Sequence, residues 1–559
     1  MRRPDWLSRS DLGRALWTFR REFAWVGFFS LFANLLLLTP TLYMLQVFDR
    51  VMISRSELTL LAVTIIALSF LALMAFSEWL RSQLLVRAGV RFDEFLNSRV
   101  FVASFEANLN RSGSTEVRAF ADLTNLRQFL TGNGVFAFFD VPWTPIYLLV
   151  IFLMHPTLGW VSVAFFLLLA GMAWLGYRVT APHTERVTDT LVDANTFLTT
   201  KMRNAEAVQA MGMLGNLRAR WMSLHQRSVA AQTDSHDATH RMQALTKFVQ
   251  YSQQSIVLAA GAWLVIHGEM TAGAMIASNV LMSNALRPVS MMVLTWRQFI
   301  EARAAYGRLE TLLEAHPVRE GGHSAEEVQG QITLKGLVAK ASGREQPILK
   351  GLDARFEAGE VIGIVGPSGA GKSTLARCLI GIWPQTDGEV LLDGIRVDQW
   401  SREVLGPRIG YLPQDIELFE GSIAENIARF GEVDSKRVIE AAQRTGIHEM
   451  VLRMPKGYDT PMGVAGSLMS GGQRQRIGLA RAIYGDPAVV VLDEPNANLD
   501  DAGVAALGRA IVESKSRGAT VFMIVHQRNL LAVADRVLVL NDGVITQFGP
   551  MAQARTTSE

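Results

Sequence analysis

Apolar residues follow two regimes along this chain. From about residue 23 to 297 they come in long runs, whereas from 330 to 550 short apolar stretches alternate with polar, helix-like ones. Six of the runs approach the roughly 20 apolar residues that cross a bilayer. They lie at 23–47, 58–78, 134–154, 157–177, 248–268 and 272–297. The first carries Asn34 and Pro40, and the third carries Pro142 and Pro145. Both are tolerable where neighbouring helices resupply the lost backbone bonds. Between the second and third runs, Leu80, Leu84, Val90 and Leu96 recur among charges, which predicts an amphipathic helix. A helix of about 25 residues extends roughly 37 Å, so the two long polar connections are expected to form helical arms. In the last run Asn279, Ser283, Arg287 and Ser290 share one helix face. This stripe reads equally as the lining of a conduit and as hydrogen-bonding glue between helices, and Pro288 beside it predicts a kink.

The join at 313–330 is rich in Gly, Glu and Pro and reads as a linker. The pattern therefore divides the chain into an N-terminal segment 1–22, a transmembrane domain 23–312, the linker, and a soluble domain 331–559. The first run is too long, and lacks the small-residue site, for a cleaved signal peptide.

Charge orients the spans. Arg2, Arg3, Arg9, Arg14, Arg20 and Arg21 precede the first run, and both long connections are dense in Arg and Lys. Only Arg50 and Arg55 fall on the opposite side. By the positive-inside rule the N-terminus, the two arms and everything after 297 are cytoplasmic. Charged residues make up 19% of the 559 and the net charge is +2, so no basic footprint for nucleic acid is present. The single cysteine, Cys378, excludes an intramolecular disulfide and reads as a small core residue.

The soluble half carries the chemistry. "EVIGIVGPSGAGKSTLARCLIGI" runs strand, glycine loop, helix, and meets G-x-x-x-x-G-K-[ST] through Gly366, Gly371, Lys372 and Ser373. The backbone of Gly366, Ser368, Gly369, Ala370 and Gly371, with Pro367 shaping the loop and Thr374 behind it, turns its N–H groups around phosphate oxygens at a helix start. Lys372 then reaches the β/γ-phosphates of a nucleotide, and the Ser373 hydroxyl ligates Mg²⁺. "AVVVLDEP" is an apolar strand ending in Asp493, suited to a Mg²⁺ contact, and Glu494, suited to polarising the attacking water. "TVFMIVHQ" is a similar strand ending at His526, a candidate γ-phosphate contact, and "YLPQD" offers the Gln414 amide to Mg²⁺ and water. Taken alone, acids or a histidine at a strand end are ordinary turn residues; the phosphate loop makes them a set. "SLMSGGQRQR" is a second glycine-led helix start, without a lysine.

This set, in this order, resembles the ATP-binding cassette of the ABC transporters. "MSGGQ" is similar to the family signature, with Met469 where leucine is usual, and "NANLD" stands at the D-loop with Asp500. The resemblance implies a six-span helical exporter domain followed by an α/β P-loop cassette. It also implies that Ser470, Gly471, Gly472 and Gln473 press on ATP held by a partner chain, so that a homodimer shares two ATP sites. One cassette and six spans make a half-transporter. "YMLQVFDRVMISRSELTLLAVT", "FFDVPWTPIYL" and "LDEPNANLD" narrow the resemblance to the inner-membrane ATPase of type I secretion systems, in the branch exporting proteases, lipases and surface-layer proteins. That implies an unfolded cargo with an uncleaved C-terminal signal, a periplasmic adaptor, an outer-membrane tunnel, and a multi-pass place in the bacterial inner membrane lipid with the cassette cytoplasmic. Two departures accompany it. The position where the family stacks adenine on an aromatic is Ala341, with no aromatic nearby in sequence, and no N-terminal peptidase precedes the first span, so no leader cleavage is expected. Two other readings share this architecture: a lipid or drug exporter, and a membrane ATPase that gates or senses without moving a substrate.

Overall fold

The structure is a computed structural model that describes residues 11–110, 117–202, 204–317, 323, 327–341, 346–383, 386–463, 466, 468–525 and 527–550. The chain divides into two compact units that change over after Pro317.

The first unit is helical. Helices α1 (Asp11–Thr18), α2 (Arg20–Leu36) and α3 (Thr39–Gln46) lead into a π-turn at Val47–Val51. There follow α4 (Glu57–Asn110), α5 (Val117–Thr131), α6 (Asn133–Asp140), α7 (Thr144–Met154), α8 (Pro156–Met202), α9 (Leu214–Ile266) and α10 (Ala272–Ala315). The expected arms are continuations of the spans rather than separate helices. Helix α4 holds 54 residues, about 80 Å at 1.5 Å per residue. Its apolar first half and amphipathic second half form one rod. Pro182 and Pro288 both sit inside helices that run on past them.

Four helical stretches among the described residues are long and apolar enough to cross a membrane: Arg20–Ser54, Glu57–Leu109, Arg118–Met154 and Pro156–Met202. The expected fifth and sixth runs fall on α9 and α10 and carry more polar side chains, among them Gln253, Gln254, Asn279 and Arg287.

Away from the apolar runs, the helices pack on one another through a shared apolar seam. Leu12 and Ala15 of α1 meet Phe92 and Leu96 of α4 and Leu309 and Leu313 of α10, all buried. Charges fasten its edge: Arg99 donates to Asp11 at 3.1 Å, and Arg308 forks onto Asp122 at 2.8 and 2.6 Å. At the other end of α10, the Asp49 carboxylate in the π-turn accepts from the Thr271 hydroxyl at 2.6 Å and the Gly273 amide at 3.0 Å. A side chain at Gly273 would collide with that carboxylate.

The second unit has two sheets. An antiparallel sheet in the order β2 (Leu349–Phe356), β1 (Ile332–Ala339), β4 (Thr386–Leu392), β5 (Ile395–Arg396) covers one flank. The other sheet runs β10 (Val544–Pro550), β9 (Arg536–Asn541), β3 (Val361–Val365), β8 (Thr520–Ile524), β7 (Val489–Asp493), β6 (Ile409–Leu412). All its pairings are parallel except β9 with β10. The strands "VVVLD" and "TVFMI" are buried at every position, as expected of parallel strands covered on both faces. Phe356 and Phe522 meet edge to face, centroids 4.9 Å apart, and join the sheets through one core. Register aligns the strand ends. Ile364 lies opposite Ile524, Ile524 opposite Asp493, and Leu492 opposite Leu412. The loops that leave β3, β8, β7 and β6 therefore emerge side by side at one edge, the edge where open parallel sheets bind ligands.

Candidate nucleotide site

The loop after β3 turns on three glycines of positive or extreme φ: Gly366 (157°), Gly369 (81°) and Gly371 (99°). Gly366 is required by contact, since a Cβ there would sit 2.0 Å from the carbonyl oxygen of Leu540. Gly371 opens helix α11 (Lys372–Leu379) in the left-handed region, where a side chain is strained. Pro367, Ser368 and Gly369 are exposed, Ala370 and Thr374 are buried, and Ser373 is half-buried. Lys372 is 7% exposed and its Nζ donates to the carbonyls of Gly366 and Pro367, both at 2.9 Å. The ammonium is thereby held over its own loop.

At the tip of β7, Asp493 is buried and its Oδ1 has no hydrogen-bond partner. Burial pushes its carboxyl above the usual range, against the pull of Ser373, Arg377 and Lys372. An orphaned buried carboxylate oxygen is costly. Facing Ser373 and Lys372, it is the position a divalent cation would satisfy.

Glu494 follows in the left-handed region (φ 49°), an uncommon place for a side chain of this size. Its amide donates to the carbonyl of Ile524 at 3.1 Å, which ties the turn to β8. Its Oε2 accepts from the Gln414 amide at 3.2 Å. Gln414 is exposed in the loop after β6, so two loops meet at this carboxylate. His526 lies outside the described residues.

The second glycine-led start is helix α12 (Gly471–Ile483). Ser470 caps it through a reciprocal box: the Gln473 amide donates to Ser470 Oγ at 3.3 Å, and the Ser470 amide donates to Gln473 Oε1 at 2.8 Å. The box leaves the amides of Gly471 and Gly472, which have no helical acceptor, for a ligand. Ser470 itself is exposed. A Cβ on Gly472 would come 2.8 Å from the carbonyl oxygen of Asn498. Asp500 caps the helix α13 (Asp501–Ser516), accepting from the Gly503 amide at 2.8 Å and pairing with Arg476 at 2.6 Å. The Gly503 amide, then the Arg476 charge, hold its carboxyl below the ordinary range.

Three contributors were not expected from sequence. The Gln475 amide donates to the carbonyls of Pro495 (2.8 Å) and Glu494 (3.4 Å), anchoring the turn after β7 to α12. Asn498 supplies the backbone on which Gly472 rests. Trp383, remote in sequence, donates its indole N–H to the carbonyl of Lys340 at 2.8 Å, beside half-buried Ala341. The signal for Gln475 lay in the repeated "QRQR"; the other two are tertiary contacts with no local mark.

Residues 349–497 match the family described as ABC transporter, and residues 23–289 match the family described as ABC transporter transmembrane region. The chain is 40% identical over 546 residues to the type I secretion system ATP-binding protein PrsD of Rhizobium meliloti, covering 97% of this chain and 94% of that protein. It is 28% identical over 547 residues to the alpha-hemolysin translocation ATP-binding protein HlyB of Escherichia coli, covering 96% of this chain and 76% of that protein. In fold it is similar to a bacterial Atm1-family ABC exporter solved with ATP bound, with a TM-score of 0.83 at 22% identity over 97% of this chain and 99% of that one.

Proposed function

Because the chain belongs to the ABC transporter family, with its transmembrane region and its ATP-hydrolysing cassette in one polypeptide, we propose that it exports an unfolded protein across the bacterial inner membrane. The observation that carries this reading is the 40% identity to a type I secretion ATP-binding protein along nearly the whole of both chains. The working unit is a homodimer of six-span subunits, domains 23–312 and 331–559, with α9 and α10 supplying the fifth and sixth spans. The cassettes and N-termini face the cytoplasm. A periplasmic adaptor and an outer-membrane tunnel continue the path, and the cargo carries a C-terminal signal.

The site supports a sequence of steps. ATP displaces the two loop carbonyls from Lys372, and residues 366–374 wrap its phosphates. The orphaned Asp493 oxygen, with Ser373 and Gln414, would hold Mg²⁺, which would supply charge neutralisation to the phosphates when bound. Ser470, Gly471, Gly472 and Gln473 of the second copy close over the γ-phosphate, with Asp500 positioning that helix start. Glu494, held by Gln414, takes the proton of the attacking water, and His526 is the γ-phosphate contact proposed from sequence. Closure of the paired cassettes is passed to the spans through the long rods α4, α8 and α9.

The test is made in the host cell. With Glu494→Gln in place of the native residue, one or a few proteins should vanish from the culture medium and accumulate inside. Unchanged secretion with altered lipid asymmetry or drug resistance would favour the lipid or drug exporter instead. Unchanged secretion with neither would favour the sensing ATPase.

A further inference from the structure

A cavity of about 220 Å³ lies among α2, α4, α6 and α10. Four charged side chains line it, Glu78 and Arg81 at and just past the end of the second apolar run, Asp140 in the third and Arg287 in the sixth. Three of them are engaged with one another. Asp140 Oδ1 accepts from Ser30 at 2.6 Å, Asn34 at 2.8 Å and Arg81 at 2.9 Å. Arg81 also lies 3.8 Å from Glu78 and over the Phe136 ring at 4.5 Å. Arg287 is different: it is exposed to the cavity and makes no hydrogen bond or ion pair among the described residues. A guanidinium within an apolar run and with no direct ion pair marks a functional position.

The stripe foreseen along α10 thus splits into two roles. Ser290 is bonded to Gln250 of α9, which is glue between helices. Arg287 instead faces open space. Its neighbour Pro288 has no N–H, so the carbonyl of Asn284, one turn back and also lining the cavity, lacks its helical donor. Asp140 Oδ2 likewise takes none of the three donors that converge on Oδ1. The cavity therefore presents one cation without a direct ion pair beside two acceptors with spare capacity, the Asn284 carbonyl and Asp140 Oδ2. A carboxylate beside peptide N–H groups matches that pattern. A phosphodiester headgroup brings the anion without peptide N–H donors at a fixed spacing beside it, and fits the pattern less well. The volume also falls below the ~300–1,000 Å³ usual for whole small-molecule sites, which suits an extended chain better than a lipid.

We propose that this cavity reads acidic residues of the exported polypeptide, Arg287 holding the carboxylate while the Asn284 carbonyl and Asp140 accept backbone N–H groups. The inference rests on the export reading above. It is tested on the full chain in nanodiscs of neutral lipid, by fluorescence anisotropy of labelled, unstructured Gly/Ser peptides carrying Asp, Asn or Lys at matched positions. The Asp peptide should bind about tenfold tighter than its Asn twin, the effect of one charge-assisted bond. Arg287→Gln should bring the two to parity, Arg287→Lys should keep a preference, and Arg287→Glu should favour the Lys peptide. Thermal unfolding of each variant checks that the bundle is intact. Equal binding of all three peptides to the wild type would overturn the proposal, as would an Asp preference that survives Arg287→Gln. So would an Asp preference abolished by anionic lipid in the nanodisc, which would make a headgroup the occupant. Binding of no peptide at all would instead remove the export reading beneath it.

Discussion

The two glycine-led helix starts of the soluble unit are alike in sequence and opposite in construction. At the first, Lys372 is buried and bonded to its own loop, and glycines at 366 and 371 are forced by the neighbouring backbone and by left-handed φ. It is a complete anion site with its cation in place. At the second, Ser470 is exposed, its side chain is spent on capping its own helix, and no lysine follows. Its glycines serve an approach to Asn498 on one side and leave amides bare on the other. A donor surface without a cation binds a polyphosphate weakly by itself. The difference is what the proposed shared site requires: a second start that brings donors to a phosphate whose cation is supplied elsewhere.

That contrast can be sharpened by damaging each half. The largest effect should come from Glu494→Gln, which removes the proposed general base and should slow steady-state ATP hydrolysis by about 10²–10⁴-fold. Nucleotide binding, followed with a fluorescent ATP analogue, should persist. Lys372→Ala deletes a charge-assisted contact of about 1.5–3 kcal/mol, so nucleotide affinity should fall by roughly 10- to 150-fold. Gly472→Ala should behave differently. It forces a Cβ against the Asn498 carbonyl, an overpacking of about 1–3 kcal/mol. Turnover should drop by about tenfold while each chain binds nucleotide as before; a matching loss of affinity would make the second start part of its own chain's site. Smallest of all, Arg476→Gln breaks a partly exposed pair with Asp500. Such pairs contribute about 0–1 kcal/mol, so turnover should change by no more than a few-fold.

Much of the nucleotide site was legible because its signals are local. The phosphate loop, the buried strand ending in Asp493 and Glu494, and the glycine-led helix start after Ser470 each sit within a few consecutive residues. What escaped the sequence depends on distant partners. Asp140 stood in a quoted motif, but its role as a hub was hidden because its donors come from 110, 106 and 59 residues away. The constraint on Gly366 comes from Leu540, on another strand of the sheet. Helix arms were expected from amphipathicity, yet their fusion with the spans was not, since periodicity marks faces rather than the absence of a break. The polar fifth and sixth runs show the limit of composition: residues that serve other helices or a cavity dilute the apolar signal.

The shared site is most directly tested by engineered cysteines. The one native thiol, Cys378, is buried and pushed up to about 12 by that burial, so it stays protonated and inert. In the Glu494→Gln background, Ser368→Cys and Ser470→Cys in one chain should give an oxidised dimer of twice the subunit mass when ATP and Mg²⁺ are present, and little without them. Absence of that dimer under ATP, or a bridge formed within a single chain, would contradict the account.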